Sequence, residues 1–212
     1  MPIGLYFTVN KSWVKEHERH GKNGRIVAVK RYWRDDHRAL GHGTWETLGL
    51  PSWPELYARY GAPTIPLLDL SGDHMGNGLQ LMRMMSRWHG HWDLLADGVR
   101  IQDALGDSVD FLDRTLTHLD IDHPKDPRFR YMPWIFHTLV RPVEVWRHRV
   151  SKQKRLGRVY LGLIQQPGRP RAKTMAVLAA VEDGRLIGWT VFPMDIREAR
   201  KFRYGALLYR RY

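Results

Sequence analysis

Residues 174–192 read TMAVLAAVEDGRLIGWTVF, and this stretch decides the fold. Residues 174–181 form an apolar run of small and β-branched side chains, which favours a buried strand. The Glu-Asp-Gly sequence at 182–184 supplies turn chemistry, with glycine where a positive φ is expected. Residues 185–192 then return as a second strand, so the stretch predicts a β-hairpin.

The chain on either side of this hairpin continues the pattern of a small sheet. Residues 158–164 and 206–209 are strand-like. Asp195 fits a helix N-cap, and it predicts a short basic helix that runs to about Phe202. Residues 142–146 open with a proline that fits a first helical position, so they predict a second short helix. Helices that precede an antiparallel sheet indicate the α+β class.

The middle of the chain has helical periodicity. Apolar residues recur at intervals of three or four over five turns, at Ile101, Leu105, Val109, Leu112, Leu116 and Leu119. Four aspartates between positions 103 and 113 fall on the other face, which predicts an acidic helix over 101–119. Helical spacing also recurs at 79–85. We therefore expect a helical middle region, followed by a C-terminal antiparallel sheet with two short helices before it.

Turns and prolines divide the chain into three predicted regions. Strands are expected at 5–9 and 25–30, and prolines 124 and 127 must lie in a connection because they break any helix. The division is an N-terminal β-containing segment at 1–50, a mainly helical region at 51–124 and an α+β domain at 125–212.

The composition excludes several classes of protein. The chain has 212 residues, 43% of them hydrophobic, and no cysteine. The lack of cysteine excludes disulfide scaffolds, thiolate nucleophiles, Fe–S clusters and cysteine-based zinc sites. No apolar run approaches the roughly 18–20 residues that span a bilayer, and residues 1–10 do not resemble a secretory signal peptide. We expect a protein of the host cytoplasm or the virion, with no membrane partner.

The positive charge is concentrated in the last third of the chain. The formal net charge is +12, made of +4 in residues 1–50, −4 in 51–140 and +12 in 141–212. Such a concentration of Lys and Arg is typical of proteins that bind a polyanion, because each neutralised phosphate releases counterions. A solvated basic face, or a face that docks on an acidic protein, is the alternative.

Three segments in this order resemble a known family. They are Arg141-Pro-Val-Glu-Val-Trp146, Arg158-Val-Tyr-Leu161, and Gly188-Trp-Thr-Val-Phe-Pro193 leading to Arg203-Tyr-Gly-Ala-Leu-Leu-Tyr209. Together they resemble the phage-associated branch of the barnase–EndoU–colicin–RelE-like ribonucleases, over about residues 125–212. Such domains occur in minor head proteins of Mu-like phages and in prophage toxins.

The resemblance implies a ribonuclease-toxin-like fold and cleavage of RNA without a metal ion or cofactor. One group would take the proton from the ribose 2′-OH, another would protonate the departing 5′-oxygen, and cations would stabilise the charged phosphorane. His137 is the acid/base candidate, unless it is a core or surface histidine. Glu144 would be a base or orient His137, or else cap its helix. Thr190 would bind a phosphate oxygen, or simply favour a strand.

Further residues are candidates for binding nucleic acid, with RNA favoured. Tyr160 would stack on a base or donate to phosphate, unless it is a core aromatic. The predicted basic helix carries Arg197, Arg200 and Lys201 on one face, and these would form a phosphate-binding stripe or a solvated face. The predicted cations are Arg158, Lys173, Arg197, Arg200, Lys201 and Arg203. The acidic helix at 101–119 would cover this basic domain intramolecularly.

Other constellations are weaker, and two other functions stay open. Metal-capable side chains at 89–93 and 118–123 follow no known ligand pattern, so no metal site is predicted.

If the domain is not a nuclease, it would be an inactive virion or head-assembly component that holds nucleic acid among phage structural proteins. A host-takeover factor that binds an acidic protein is the third possibility.

Overall fold

The computed structural model divides the chain into two units, Met1–Arg38 and Ala39–Tyr212. The residues that the structure describes are 11–14, 17–20, 26–29, 32–35, 40–69, 92–121, 128–150 and 155–212. The strand predicted at 5–9 and the helix predicted at 79–85 lie outside the described residues. The three-part division of the chain into 1–50, 51–124 and 125–212 stays a prediction.

The first unit contains short antiparallel strand pairs. Its described strands are β1 (Lys11–Val14), β2 (His17–His20), β3 (Ile26–Val29) and β4 (Tyr32–Asp35). β1 pairs with β4, and β2 pairs with β3. The strand that the β-branched residues at 25–30 predict is therefore confirmed as β3.

The second unit is built on one large sheet, to which its described residues contribute nine strands. These are β5 (Gly41–Thr44), β6 (Trp92–Leu95), β7 (Gly98–Gln102), β8 (Ser108–Leu112), β9 (Glu144–Val150), β10 (Arg155–Gln165), β11 (Ala172–Glu182), β12 (Arg185–Asp195) and β13 (Tyr204–Arg210). Their order across the sheet is β5-β13-β9-β10-β11-β12-β8-β7-β6. All neighbours are antiparallel except β12 and β8, which run parallel. The α+β class is confirmed as a mixed, mostly antiparallel sheet with a few helices.

Helices cover both faces of this sheet. The α-helices are α1 (Trp53–Tyr60), α2 (Asp113–Ile121) and α3 (Met132–Val140), and the 3₁₀ helices are Arg128–Tyr131 and Ile196–Phe202. α2 and α3 pack on the face that carries Tyr160 and Val177. α1 and the second 3₁₀ helix pack on the face that carries Leu161 and Ala176. In the part of the chain that the structure describes, no helix is long and apolar enough to cross a membrane.

The C-terminal strands agree with the sequence prediction. β11 and β12 form the expected hairpin, and Asp183 and Gly184 take positive φ values of 47° and 77° at its turn. The strands predicted at 158–164 and 206–209 lie within β10 and β13. Asp195 caps the following helix by accepting a hydrogen bond from the amide of Arg197 at 3.0 Å, although that helix is 3₁₀.

The acidic helix predicted over 101–119 is wrong. This stretch forms β7, a tight turn and β8, and the chain becomes helical only at Asp113. Ile101 and Val109, which helical spacing puts on one face, are cross-strand partners that point into the core. Two strand periods equal four residues, so the four-residue intervals between Ile101, Leu105 and Val109 arise in this hairpin by coincidence and do not indicate a helix.

The short helix predicted at 142–146 is also wrong. Glu144 begins β9, and this strand pairs with β10 and β13. Successive side chains of this segment alternate between the two faces of the sheet, as in a strand. Val145 packs in the core with α3, whereas Glu144 and Trp146 are buried on the opposite face. β-branched and aromatic residues favour this arrangement, and the proline that fits a helix start equally fits a strand entry.

Candidate functional site

The sequence-predicted catalytic residues lie at three separate places in the second unit. His137 is on α3, Glu144 begins β9 and Thr190 is on β12. In the sheet, β9 and β12 are separated by β10 and β11. Because neighbouring strands are about 4.8 Å apart, Glu144 on β9 and Thr190 on β12 lie on strands about 14 Å apart. The structure therefore does not bring these three side chains together.

Glu144 lies inside a buried polar network. Its carboxylate accepts hydrogen bonds from Arg203, at 2.8 Å from Nε and 2.6 Å from Nη2, and from the Trp146 indole at 2.7 Å. The Tyr212 hydroxyl donates to the same carboxylate. The Arg203 guanidinium also lies 5.1 Å from the ring centre of Trp53. Glu144 and Arg203 are both fully buried, so this pair joins β9 to the segment before β13.

Tyr160 and Arg158 also have internal partners. The Tyr160 hydroxyl donates to Asp103 at 2.6 Å, and the two terminal nitrogens of Arg158 donate to Asp103 at 2.9 Å and to Asp107 at 2.7 Å. Burial raises the pKa of Tyr160 well above its usual value, so its hydroxyl stays a donor. The two side chains hold the turn between β7 and β8 against β10.

The acidic residues of 101–119 thus contact the C-terminal segment, but from a turn and strands instead of a helix. Besides the pairs with Arg158, Asp110 of β8 lies 2.7 Å from Arg100 and 3.5 Å from Arg185 of β12. Asp110 is almost completely buried. These ion pairs join β8 and the turn before it to β7, β10 and β12.

His137 is half-buried in the last turn of α3. Burial, together with the positive charges of Arg211 and Arg141, lowers the pKa of His137 to about 4. At neutral pH its imidazole is uncharged, and such a low pKa makes it a weak proton acceptor.

This shift predicts a pH-dependent stability. The unfolded histidine takes up a proton near pH 6.5, whereas the folded one does so only near pH 4, so stability is fully present above pH 6.5 and falls below it. Between pH 7 and pH 4.5, we expect the free energy of unfolding to fall about 2 kcal/mol further in the wild type than in H137Q, after allowance for partial exposure. Urea titrations at the two pH values measure this. Equal falls in the two proteins would contradict it.

The third catalytic candidate, Thr190, lies beside a β-bulge in β12. Leu178 of β11 opposes Thr190, but the next residue, Ala179, opposes Gly188, so Trp189 is the extra residue. Trp189 is 39% exposed, whereas Thr190 is only 9% exposed. A Cβ on Gly188 would lie 2.5 Å from the Phe111 ring, so glycine is required at this point. Bulges recur next to active sites because they redirect a side chain.

Arg128 completes this site. Its Nη1 donates to the Thr190 hydroxyl at 3.1 Å, and its guanidinium carbon lies 5.0 Å from the centre of the Phe192 ring. The hydroxyl and the aromatic face hold the guanidinium in place, the latter through a cation–π interaction. We call Arg128, Trp189, Thr190 and Phe192 the bulge site. A positioned guanidinium beside a hydroxyl is suited to binding a phosphate.

Several of the predicted binding cations lie near the bulge site. Phe202 of the second 3₁₀ helix stacks on Phe192 at 5.7 Å between ring centres, which brings that helix beside Arg128. Its exposed cations are Arg197, Arg200 and Lys201, the last bonded to Glu198 at 2.6 Å. Lys173 is exposed opposite Asp195, the N-cap of the helix. Arg158, Tyr160 and Arg203 do not belong to this surface.

Arg128 was missed by sequence reasoning. It lies 62 residues before Thr190, directly after the connection with two prolines, and only the folded chain brings the two together. The signal that could have found it is the sequence Arg-Phe-Arg-Tyr at 128–131, where basic and aromatic residues alternate as in many nucleic-acid-binding segments. Among the described residues, no three His, Asp or Glu side chains converge as metal ligands.

Comparison with known proteins gives one match. The family model described as phage-Barnase-EndoU-ColicinE5/D-RelE like nuclease2 matches residues 93–210, more than half of the chain. This range contains the whole bulge site and the sheet from β7 to β13. No curated protein and no solved structure matches the chain.

Proposed function

Since this chain belongs to the phage-Barnase-EndoU-ColicinE5/D-RelE like nuclease2 family, and thus carries a phage nuclease domain, we propose that it cleaves RNA at the bulge site without a metal ion. The observation that carries this proposal is the Arg128–Thr190 pair, held at a bulge beside the exposed Trp189. It offers a cation, a hydroxyl and an aromatic surface within one small area.

In the proposed reaction, the ribose 2′-oxygen attacks its own phosphorus and the bond from phosphorus to the 5′-oxygen breaks. The products are a 2′,3′-cyclic phosphate and a 5′-hydroxyl. Arg128 stabilises the negative charge that grows on the phosphorane, and Thr190 both orients Arg128 and bonds a phosphate oxygen. Because the nucleophile belongs to the substrate, the reaction needs RNA and no protein nucleophile.

The surroundings of the bulge site support a single-stranded substrate. Trp189 offers a ring on which an unpaired base can stack, and base stacking on an aromatic side chain is tolerant of sequence. The exposed Arg197 and Arg200 extend the positive surface beyond Arg128, so neighbouring phosphates would lie along the second 3₁₀ helix. The substrate strand would then run along β12 and onto this helix.

Incubation of the 212-residue chain with RNA tests the proposal. We expect fragments with cyclic phosphate ends in the presence of EDTA, with binding that weakens steeply as salt rises. Tight, salt-dependent binding without cleavage would instead favour the inactive virion component. Loss of an acidic protein partner upon charge reversal at Arg197, Arg200 and Lys201, without affinity for nucleic acid, would favour the host-takeover factor.

The same assay must use the whole chain. β12 pairs with β8 at Leu186 and Val109, and β13 pairs with β5 at Leu207 and Gly41. A fragment that begins at residue 125 would lose both neighbours and expose two strand edges. Toxicity during expression in a bacterial host is therefore expected from the full chain, and growth curves of host cells measure it.

A further inference from the structure

Cleavage by the 2′-oxygen needs a group that accepts its proton, and the Arg128–Thr190 pair contains none that does so at neutral pH. His137 and Glu144 lie elsewhere, the first with a pKa of about 4 and the second inside a buried ion pair. We propose that His118 of α2 is the proton-transferring residue at the bulge site. This inference rests on the proposed function and adds a catalytic residue to it.

α2 packs against β12. At its start, Asp113 and Arg114 line a cavity of about 330 Å³ together with Arg185 and Ile187 at the start of β12. One residue further on, the buried Thr115 hydroxyl donates to the Gly188 carbonyl at 2.8 Å. The start of α2 therefore lies beside β12, and Thr115 contacts the residue directly before the bulge.

His118 lies one helical turn beyond Thr115 and on the same side of α2. Residues three apart share a helix face, and they are about 4.5 Å apart along the helix axis. From Gly188, the strand reaches Thr190 after about 6 Å, somewhat less across a bulge. His118 therefore lies within about one helical turn of the Thr115–Gly188 contact, which is directly before Trp189.

The first 3₁₀ helix, which follows α2 in the chain, also places α2 beside the bulge site. α2 packs on the first 3₁₀ helix, which carries Arg128, and on β12, which carries Thr190. His118 is half-buried. Histidine is also a side chain that commonly transfers protons in enzymes. Position and chemistry thus point to the same residue.

The neutral imidazole of His118 takes the proton of the 2′-hydroxyl, the bond from the 2′-oxygen to phosphorus forms, and the bond to the 5′-oxygen breaks. The departing 5′-oxygen takes a proton from water, and the imidazolium returns its own proton to solvent. The charged and titratable groups on the elements packed against α2 are Asp110, Arg185, Asp195, Arg128, Arg130 and Tyr131.

The test compares H118Q with the wild type on an RNA strand across a range of pH. We expect kcat to fall about 10²–10⁴-fold with little change in KM, and the rising limb of the pH profile to disappear. Added imidazole should partly restore cleavage by H118A, which a purely structural role would not allow. The matched control is H42Q, since His42 is exposed on β5 at the far edge of the sheet.

The outcomes separate this inference from the proposed function. If the wild type cleaves RNA and H118Q keeps its rate and its pH profile, His118 is not the proton-transferring residue, while the nuclease proposal stands. If the wild type does not cleave RNA at all, the proposed function fails, and the role of His118 fails with it. Thermal melting of both variants checks that the sheet stays folded.

Discussion

Replacement of Glu144 by glutamine is expected to lower the free energy of unfolding by about 3–5 kcal/mol, because it leaves the charge of Arg203 buried without its partner. Both side chains are fully buried, and the carboxylate accepts hydrogen bonds from Arg203, Trp146 and Tyr212. The NH2 group of a glutamine cannot accept a hydrogen bond, so it would face an N–H or O–H group of Arg203, Trp146 or Tyr212 without bonding to it. Urea unfolding followed by circular dichroism measures the loss.

A double variant is the control for this prediction. In E144L/R203M neither charge remains, so we expect at least about 2 kcal/mol of the loss to be recovered, as found generally when buried ion pairs are replaced by apolar residues. If E144Q keeps the stability of the wild type and loses only RNA cleavage, Glu144 acts in catalysis and the structural role assigned to it is wrong.

Replacement of Arg128 by glutamine is expected to lower kcat for RNA cleavage by about 10²–10³-fold, the usual effect of removing one group that stabilises a transition-state charge. The reason is its position: the guanidinium is fixed by the Thr190 hydroxyl and the Phe192 ring before any substrate arrives. R128K should recover little, because an ammonium cannot bond phosphate in the bidentate way. Single-turnover cleavage of a labelled RNA strand measures the rate.

Two controls accompany R128Q. R210Q removes the same charge from the exposed end of β13, four strands away from β12, so its rate should match the wild type. At Thr190, serine keeps the hydroxyl and valine keeps the shape, so T190S should stay active and T190V should not. Equal rates in R128Q and R210Q would mean that Arg128 contributes only general positive charge.

The parts of the fold that local chemistry determines were predictable from the sequence. The hairpin of β11 and β12 follows from an apolar run, a Glu-Asp-Gly turn and a second apolar run. The cap at Asp195 follows from the residue type. In each case the decisive interactions join residues that are close in the chain, so a local pattern contains the information.

The errors arose where distant strands decide the structure. Residues 101–112 and 144–150 become strands because the sheet offers them partners, among them the parallel pairing of β8 with β12. Their local spacing fits a helix equally well. Pairings between residues far apart in sequence therefore overrode a plausible periodicity.

The candidate site was predictable only in part, for the same reason. Thr190 was expected from the order of motifs around it, and the basic 3₁₀ helix from its charge. Arg128 and α2 approach β12 through contacts across more than 60 residues, namely those of Arg128 with Thr190 and of Thr115 with Gly188. The buried ion pair of Glu144 with Arg203 was not predictable, because burial on both faces of β9 is a property of the completed sheet.

Cleavage of a DNA strand that contains a single ribonucleotide tests the central claim most directly. With EDTA present, we predict one cut, immediately after the ribonucleotide, and a fragment whose mass shows a 2′,3′-cyclic phosphate. The R128Q variant should leave the strand intact over the same time. Cuts within the deoxynucleotides, a requirement for added metal ions, or fragments that begin with a 5′-phosphate would each contradict the claim.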